Sequence, residues 1–260
     1  LEDLTRFNEA IDQALAESMD KYNEELAQSK EMFLAILGHD LRLPLGAIYT
    51  SAAFMLESAE LEEPPRALAS RIAQSAKRTN DRVGDLLDFT RTRLGAGIPV
   101  VRADMSLDEV VRDVVDEITA AHPECPIHVD SHGALRGAWD RGRISQALGN
   151  LIGNAVQHGS VGSVVAVEIR GGAELVSVVV HNYGAPIPPD QLDGIFNPMK
   201  SRVSPRVPSE RGPTGSLGLG LYIAERIASA HGGRIDVKSS PQGGTTFTMY
   251  LPRVEKPAER

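Results

Sequence analysis

From Leu1 to Ile36, apolar or small residues return at steps of three and four: Leu1, Leu4, Ile11, Leu15, Met19, Tyr22, Leu26, Ser29, Phe33 and Ile36. That is the spacing of a coiled-coil seam. Between Ile11, Leu15 and Met19 the step is four twice running, a stutter that locally unwinds a supercoil. Asn8 falls on the seam, where one polar residue can fix register and strand number. The pattern predicts one long helix over 1–57. It either pairs with a second copy along the seam or packs as an amphipathic helix on its own domain. Glu60-Leu61-Glu62-Glu63-Pro64-Pro65 interrupts the period and reads as a turn. A second helix is predicted over 66–94, with Leu68, Ile72, Ser75, Thr79, Val83, Leu86, Leu87 and Phe89 along one face. Two long helices joined by a short loop make an antiparallel hairpin. One hairpin has too little core to stand alone, so two chains are expected to form a homodimeric four-helix bundle.

After Gly95-Ala96-Gly97-Ile98-Pro99, which reads as a linker, the period changes. Leu107 to Ala121 is amphipathic at helical spacing. Ile127 to Val129 and Leu135 to Trp139 read as short strands, and Ile144 to Val156 as a helix. Val164 to Ile169 and Leu175 to His181 alternate as strands about a Gly171-Gly172 hairpin. Leu217 to Ala230 reads as a helix opened by glycines, and Arg234–Val237 with Thr245–Leu251 as a last hairpin around Gly243-Gly244. Helices beside an antiparallel-leaning sheet predict a two-layer α/β sandwich, so the fold class is α + α/β. The charged tail from Pro252 is expected to fray.

Bulk chemistry narrows the partners. Net charge is −8 with no strongly basic block, which argues against nucleic acid as the main partner. The single Cys125 excludes an internal disulfide framework and a cysteine-based zinc site, so a reducing compartment fits. No apolar run has the length to span a bilayer, and no signal peptide is visible. Because the chain opens inside a heptad-like pattern, an upstream sensor segment is expected in a longer parent. That parent is free to be membrane-anchored, while this portion is expected to be cytoplasmic.

Four places carry chemistry. Phe33 to Leu45 sets His39-Asp40-Leu41-Arg42 inside an apolar helical run, with Pro44 five residues after the histidine. An exposed histidine with an adjacent acid to orient its ring is a candidate nucleophile; the plain alternative is a surface histidine. Asn150 and Asn154, four apart, share a helix face. Two carboxamides there suit a hydrated hard cation holding phosphate oxygens, or bond to a neighbouring loop. His181-Asn182-Tyr183-Gly184-Ala185-Pro186 follows a strand; Gly184 gives the backbone room to pass a flat ligand and Asn182 can bond a purine edge, or the run is an ordinary turn. Gly215-Ser216-Leu217-Gly218-Leu219-Gly220 opens a helix, where backbone N–H groups can face phosphates or glycines can serve tight packing. The segment before it, Lys200 to Thr214, carries Lys200, Arg202, Arg206 and Arg211 and reads as a mobile basic lid or a plain surface loop.

Taken in chain order, these runs resemble the sensor histidine kinases of two-component signalling, over nearly the whole chain from about residue 20. The resemblance implies three parts: a coiled-coil signalling helix over 1–28, a dimerisation and histidine-phosphotransfer domain over 29–96, and a catalytic ATP-binding domain over 97–256. The last is of the type shared with DNA gyrase and MutL, with a mixed sheet. His39 would be the phosphoacceptor, with Asp40 orienting the ring and taking its proton. Asn154 would hold a magnesium ion (Mg2+) bridging the phosphates of ATP, with Asn150 beside it. Gly215, Gly218 and Gly220 would form the phosphate-side loop. Phe196, in Ile195-Phe196-Asn197-Pro198, matches the family's phenylalanine box near the lid. The phosphoryl group would pass to an aspartate of a response regulator receiver domain, docked around Pro44 to Ala52.

The chain departs from the family pattern in places. Asn182 stands where the family usually has Asp, which predicts a loss of about 1 kcal/mol in nucleotide affinity and relaxed selectivity for ATP over GTP. Ala185-Pro186 replaces a glycine that often follows in that loop. The usual lysine after the second asparagine is missing; Gln157 and His158 follow, so a phosphate contact is expected from His158 or from lid cations such as Lys200. Leu43 replaces the Thr or Asn that many relatives place four residues after the phosphoacceptor, and it has no hydrogen-bonding group. Weak phosphatase activity is therefore expected. Two other readings fit less: a degenerate kinase acting as a regulatory scaffold for another histidine kinase, and a gyrase- or MutL-like ATPase with an unrelated helical arm.

Overall fold

A computed structural model describes residues 2–58, 63–95, 97–198 and 218–253 of the chain, with only part of the side chains before Gly38. Leu1, and the side chains of the seam positions Leu4, Asn8 and Phe33, fall outside that description. The chain forms two compact units, Leu1–Ala96 and Gly97–Arg260.

The first unit is a hairpin of α1 (Glu2–Glu57) and α2 (Pro65–Arg93). Pro65 takes the first helical position, where a missing N–H is lost anyway, and Arg91 and Arg93 sit favourably in the last turn. Pro44 lies inside α1. Having no N–H, it leaves the carbonyl of Asp40 without its helical donor. Small residues bring the helices together: Ala52, Ala69, Ala73 and Ala76 are buried. A side chain at Gly38 would collide with Leu87 Cδ1.

Within the single chain the apolar face of the second helix is divided: Leu87 packs where Gly38 of α1 admits it, while Leu68, Ile72 and Leu86 stay exposed. Leu68 and Ile72 are 54% and 48% exposed, while Ala69 and Ala73, one residue further on, are buried. The interaxial distance is set by the side chains at the contact, so alanines allow the close approach. The larger apolar residues then mark the outward face. On α1 the seam residues Ile11, Leu15, Met19, Tyr22 and Ile36 are likewise exposed.

The second unit runs β1 (Ala103–Ser106), α3 (Leu107–Ala121), β2 (Ile127–Gly133), β3 (Arg136–Trp139), α4 (Arg141–His158), β4 (Val165–Gly171), β5 (Leu175–Asn182), α5 (Pro189–Leu192), α6 (Gly220–Ala230), β6 (Arg234–Ser240) and β7 (Gly244–Pro252). Five strands form one sheet in the order β2-β4-β5-β7-β6, and β1 pairs separately with β3. The β2–β4 pair is parallel and the other pairs of the large sheet are antiparallel, so the sheet is mixed. The short β1 and α5 were not anticipated.

Alternation along β5 and β7 buries Val176, Val178 and Val180 with Phe247, Met249 and Leu251. The same sheet face receives Ile144, Leu148, Leu151 and Ile152 of α4 and Ile223 and Ile227 of α6. Each such side chain contributes about 1.5–3 kcal/mol on burial. Among the described residues no helix is long and apolar enough to cross a membrane.

One buried histidine fixes α4 against α6. His231, at the end of α6 and 2% exposed, donates from Nδ1 to the Ile227 carbonyl at 2.8 Å. Its Nε2 accepts from the Asp140 N–H at 3.0 Å. Asp140 caps α4 by accepting from the Arg143 N–H, and its other oxygen accepts from the Val101 N–H. Burial lowers the pKa of His231, keeping the ring neutral as this pattern requires. Burial also pushes the Asp140 carboxyl up, but the N–H groups of Val101 and Arg143 outweigh it, so its pKa lies below the usual value.

Candidate functional site

The first candidate lies on α1. Gly38 is buried where Leu87 packs, and the next two residues turn outward. The side chains of His39 and Asp40 are 70% and 66% exposed, with Nδ1 3.4 Å from Oδ1. In the tautomer that donates Nδ1–H to this carboxylate, Nε2 keeps its lone pair and faces solvent. Leu43, one turn on, is 60% exposed.

The second candidate sits in the other unit, where α4, α6 and the ends of β5, β6 and β7 meet. Asn150 and Asn154 lie one turn apart on α4, both partly exposed. The Asn150 Oδ1 lies 3.0 Å from the position a side-chain carbon would take at Gly220, so the glycine admits the carboxamide. Asn150 Nδ2 is buried without a hydrogen-bond partner among the described residues. A buried donor left unpaired costs about 1–3 kcal/mol, which an acceptor such as a phosphate oxygen would recover. Helix α6 begins beside it. Gly218 has φ +69, a left-handed turn suited to glycine, and Leu219 at the N-cap offers no side-chain acceptor. The first N–H groups of α6 therefore need acceptors from elsewhere, and an anion satisfies them.

The donor set also fits a magnesium ion bound chiefly by a nucleotide. Among the described residues no group of three or more His, Cys, Asp or Glu could hold a metal. Mg2+ asks for hard oxygens and keeps waters and phosphates as ligands, so the Asn154 carbonyl oxygen suffices from the protein side.

Asn182, the last residue of β5, is 3% exposed. It stands opposite Thr245 of β7, which stands opposite Ser239 of β6. Thr245 and Ser239 escaped the sequence reading; the Gly243-Gly244-Thr245 turn was visible, but its register against a strand about sixty residues away was not. The loop after Asn182 is tied at both ends. The Ser160 N–H donates to Tyr183 O at 2.6 Å, and the Ile187 N–H to Ser239 Oγ at 2.9 Å. At Gly184 the place of the missing side chain is taken by the His158 carbonyl, so only glycine fits against the end of α4 there. His158 itself is exposed at its outer edge, yet the protein around the ring lowers its pKa, leaving a neutral imidazole. Phe196 stands edge-on to Phe247, centroids 6.4 Å apart, which anchors the last described residues before position 199. Lys200, Gly215 and the rest of 199–217 lie outside the described residues.

Comparison with known proteins gives both units relatives. Residues 29–95 match the family model of the His Kinase A (phospho-acceptor) domain. Residues 139–255 match that of the histidine kinase-, DNA gyrase B-, and HSP90-like ATPase. The signal transduction histidine-protein kinase AfsQ2 of Streptomyces coelicolor is 34% identical over 99% of this chain, which spans 48% of that protein's length. The bacteriophytochrome of Pseudomonas aeruginosa is 32% identical over 88% of this chain, which spans 30% of its length. Among solved structures, full-length ShkA in complex with AMPPNP matches with a TM-score of 0.62 and 26% identity, covering 87% of this chain and 47% of that one. ThkA in complex with the response regulator TrrA shares the fold at a TM-score of 0.52 and 23% identity, over 86% of this chain and 61% of that one.

Proposed function

This chain belongs to the sensor histidine kinases of two-component signalling, and we propose that it autophosphorylates His39 from ATP and passes the phosphoryl group to an aspartate of a response regulator. The observation that carries the reading is the exposed His39-Asp40 pair on a rigid helix, its Nε2 open to solvent. In the transfer, Nε2 attacks the γ-phosphorus, the bond to the β-phosphate oxygen breaks, and ADP leaves. Asp40 takes the Nδ1 proton as the ring acquires charge. Such a transfer asks the protein mainly for positioning and charge neutralisation. Asn150 and the start of α6 supply donors to the phosphates, Asn154 an oxygen for the metal, and His158 a neutral N–H. Mg2+, when bound, draws charge from the phosphate oxygens.

Association follows from the outward apolar faces. Met55, Leu68, Ile72 and Leu86 are 46–54% exposed in the single chain. We assign them to a homodimeric four-helix bundle, continued by a coiled coil over 1–28, with the kinase domains at 29–96 and 97–256. The receiver domain docks around Pro44 to Ala52, where the residues other than Leu45 and the buried Ala52 are exposed. An upstream sensor drives the coiled coil, from a parent free to be membrane-anchored, and this portion works in the cytoplasm, where ATP is at hand. A pure scaffold has no use for an exposed His39-Asp40 pair.

Incubation with γ-labelled ATP and magnesium, beside a His39→Ala variant, tests the reading. Acid-labile label on the native chain alone is expected. Equal label on both would remove His39 from its role, and absence of label with ATP still bound would return the chain to the scaffold class.

A further inference from the structure

Where the sheet meets α4 and α6 it carries three polar side chains in one row. Asn182 pairs in register with Thr245, and Thr245 with Ser239. Directly opposed residues share a sheet face, so all three point to the side covered by the helices. Asn182 and Thr245 are buried there. Ser239 Oγ accepts from the Ile187 N–H and lies 2.8 Å from Thr245 Oγ1, where either hydroxyl can be the donor. No hydrogen bond among the described residues fixes the Asn182 carboxamide.

We infer that this row reads a purine edge without fixed polarity, so that the site takes guanosine triphosphate nearly as well as adenosine triphosphate. The inference rests on the nucleotide reading above and deepens it. Adenine offers an amino donor beside a ring-nitrogen acceptor; guanine offers a carbonyl acceptor beside a ring N–H donor. A carboxamide has one acceptor oxygen and two donors. Turned one way, the Asn182 oxygen accepts from the adenine amine, and the hydroxyl pair beside it donates to the ring nitrogen. Turned by half a revolution, the Asn182 amide donates to the guanine carbonyl, and the hydroxyl pair accepts from the ring N–H. The Thr245–Ser239 pair reverses its donor sense just as readily, so a second contact follows the first. No ionised side chain stands in the row to break the tie. A carboxylate at 182 would be acceptor-only and would oppose the guanine carbonyl.

Calorimetric titration of the 260-residue chain with magnesium and the imidotriphosphate analogues of ATP and GTP tests this. In the native chain the two dissociation constants are expected within about fivefold of each other, since both bases form the same number of neutral hydrogen bonds. In Asn182→Asp the ratio is expected to open to about a hundredfold in favour of adenine, because guanine is left with opposed acceptors. Thr245→Val should weaken both nucleotides alike. A hundredfold adenine preference in the native chain would overturn the inference while leaving the kinase reading intact. So would an Asn182→Asp protein, folded by circular dichroism, with an unchanged ratio. If that variant does not fold, the native ratio alone decides. Saturable binding of neither analogue would overturn the inference and the nucleotide reading together.

Discussion

The two units bury their apolar residues in opposite ways. The α/β unit encloses Leu107, Trp139, Ile144, Leu148, Ile223 and Phe247 with no measurable exposure. The hairpin encloses alanines and leaves Phe54 75% exposed, with Ile72 and Leu86 near one half. A buried alanine removes little apolar area, and stabilisation scales with that area. The α/β unit is therefore a complete core, and the hairpin is part of one. On the proposed function this divides the labour: the nucleotide site would be built on the complete core, while the phosphoacceptor would ride on an element that association completes. Control over association would then reach His39 without disturbing the core that holds Asn182.

The largest effect should come from denying the hairpin its partner. Leu68→Glu combined with Ile72→Glu would place two charges on the outward face. Each lost apolar contact is worth about 1.5–3 kcal/mol, so dimer affinity should fall by at least about a hundredfold. Sedimentation should show monomers at concentrations where the native chain is dimeric, and the helical signal should melt earlier. Nucleotide binding by the α/β unit should not move. Unchanged dimer affinity would mean that the outward face is not the missing half of the core.

That contrast also marks what could be read from residues alone. The long helices, the Leu175–His181 strand and the shared face of Asn150 and Asn154 follow from local periods, which a single chain displays directly. The alanine contact between α1 and α2 was not read, because periodicity weights large residues; Ala69, Ala73 and Ala76 are nearly silent in it, yet they decide how closely the helices approach. The Asn182–Thr245–Ser239 row was hidden for another reason. It joins three strands, and register is a tertiary fact. His231 was equally silent, since nothing in its neighbourhood announces a hydrogen bond to Asp140, far away in the chain.

A smaller effect, confined to the complete core, should come from that histidine. Its folded pKa lies below the ordinary 6.5, so the unfolded chain binds the proton more readily. The neutral ring's contribution is fully present above pH 6.5 and declines as pH falls from there toward the lowered folded value. His231→Ala should remove about 1–3 kcal/mol at neutral pH, because the Asp140 N–H and the Ile227 carbonyl lose their partner. It should also flatten the α/β unit's stability between pH 6.5 and 5, measured by urea unfolding, while the hairpin's transition stays in place. An equally steep decline in the variant would assign the pH dependence to other groups.

The smallest change in stability should accompany a change in activity, and it belongs to the incomplete unit. Leu43 is 60% exposed one turn after His39, so Leu43→Thr should alter stability by no more than about 0.5 kcal/mol. Its apolar side chain cannot hold a water, whereas a hydroxyl at that place can orient one toward a phosphorylated receiver domain docked alongside. The native chain should dephosphorylate its regulator slowly, and Leu43→Thr should raise that rate at least about tenfold with autophosphorylation unchanged, because positioning the water is the step supplied. Equal dephosphorylation rates in the two proteins would dismiss Leu43 as the cause. The outcome bears on both units. On α1 a reaction can be gained or lost at an exposed position without touching the fold. At Asn182 or Thr245, buried beneath α4 and α6, a change in specificity must pass through the core.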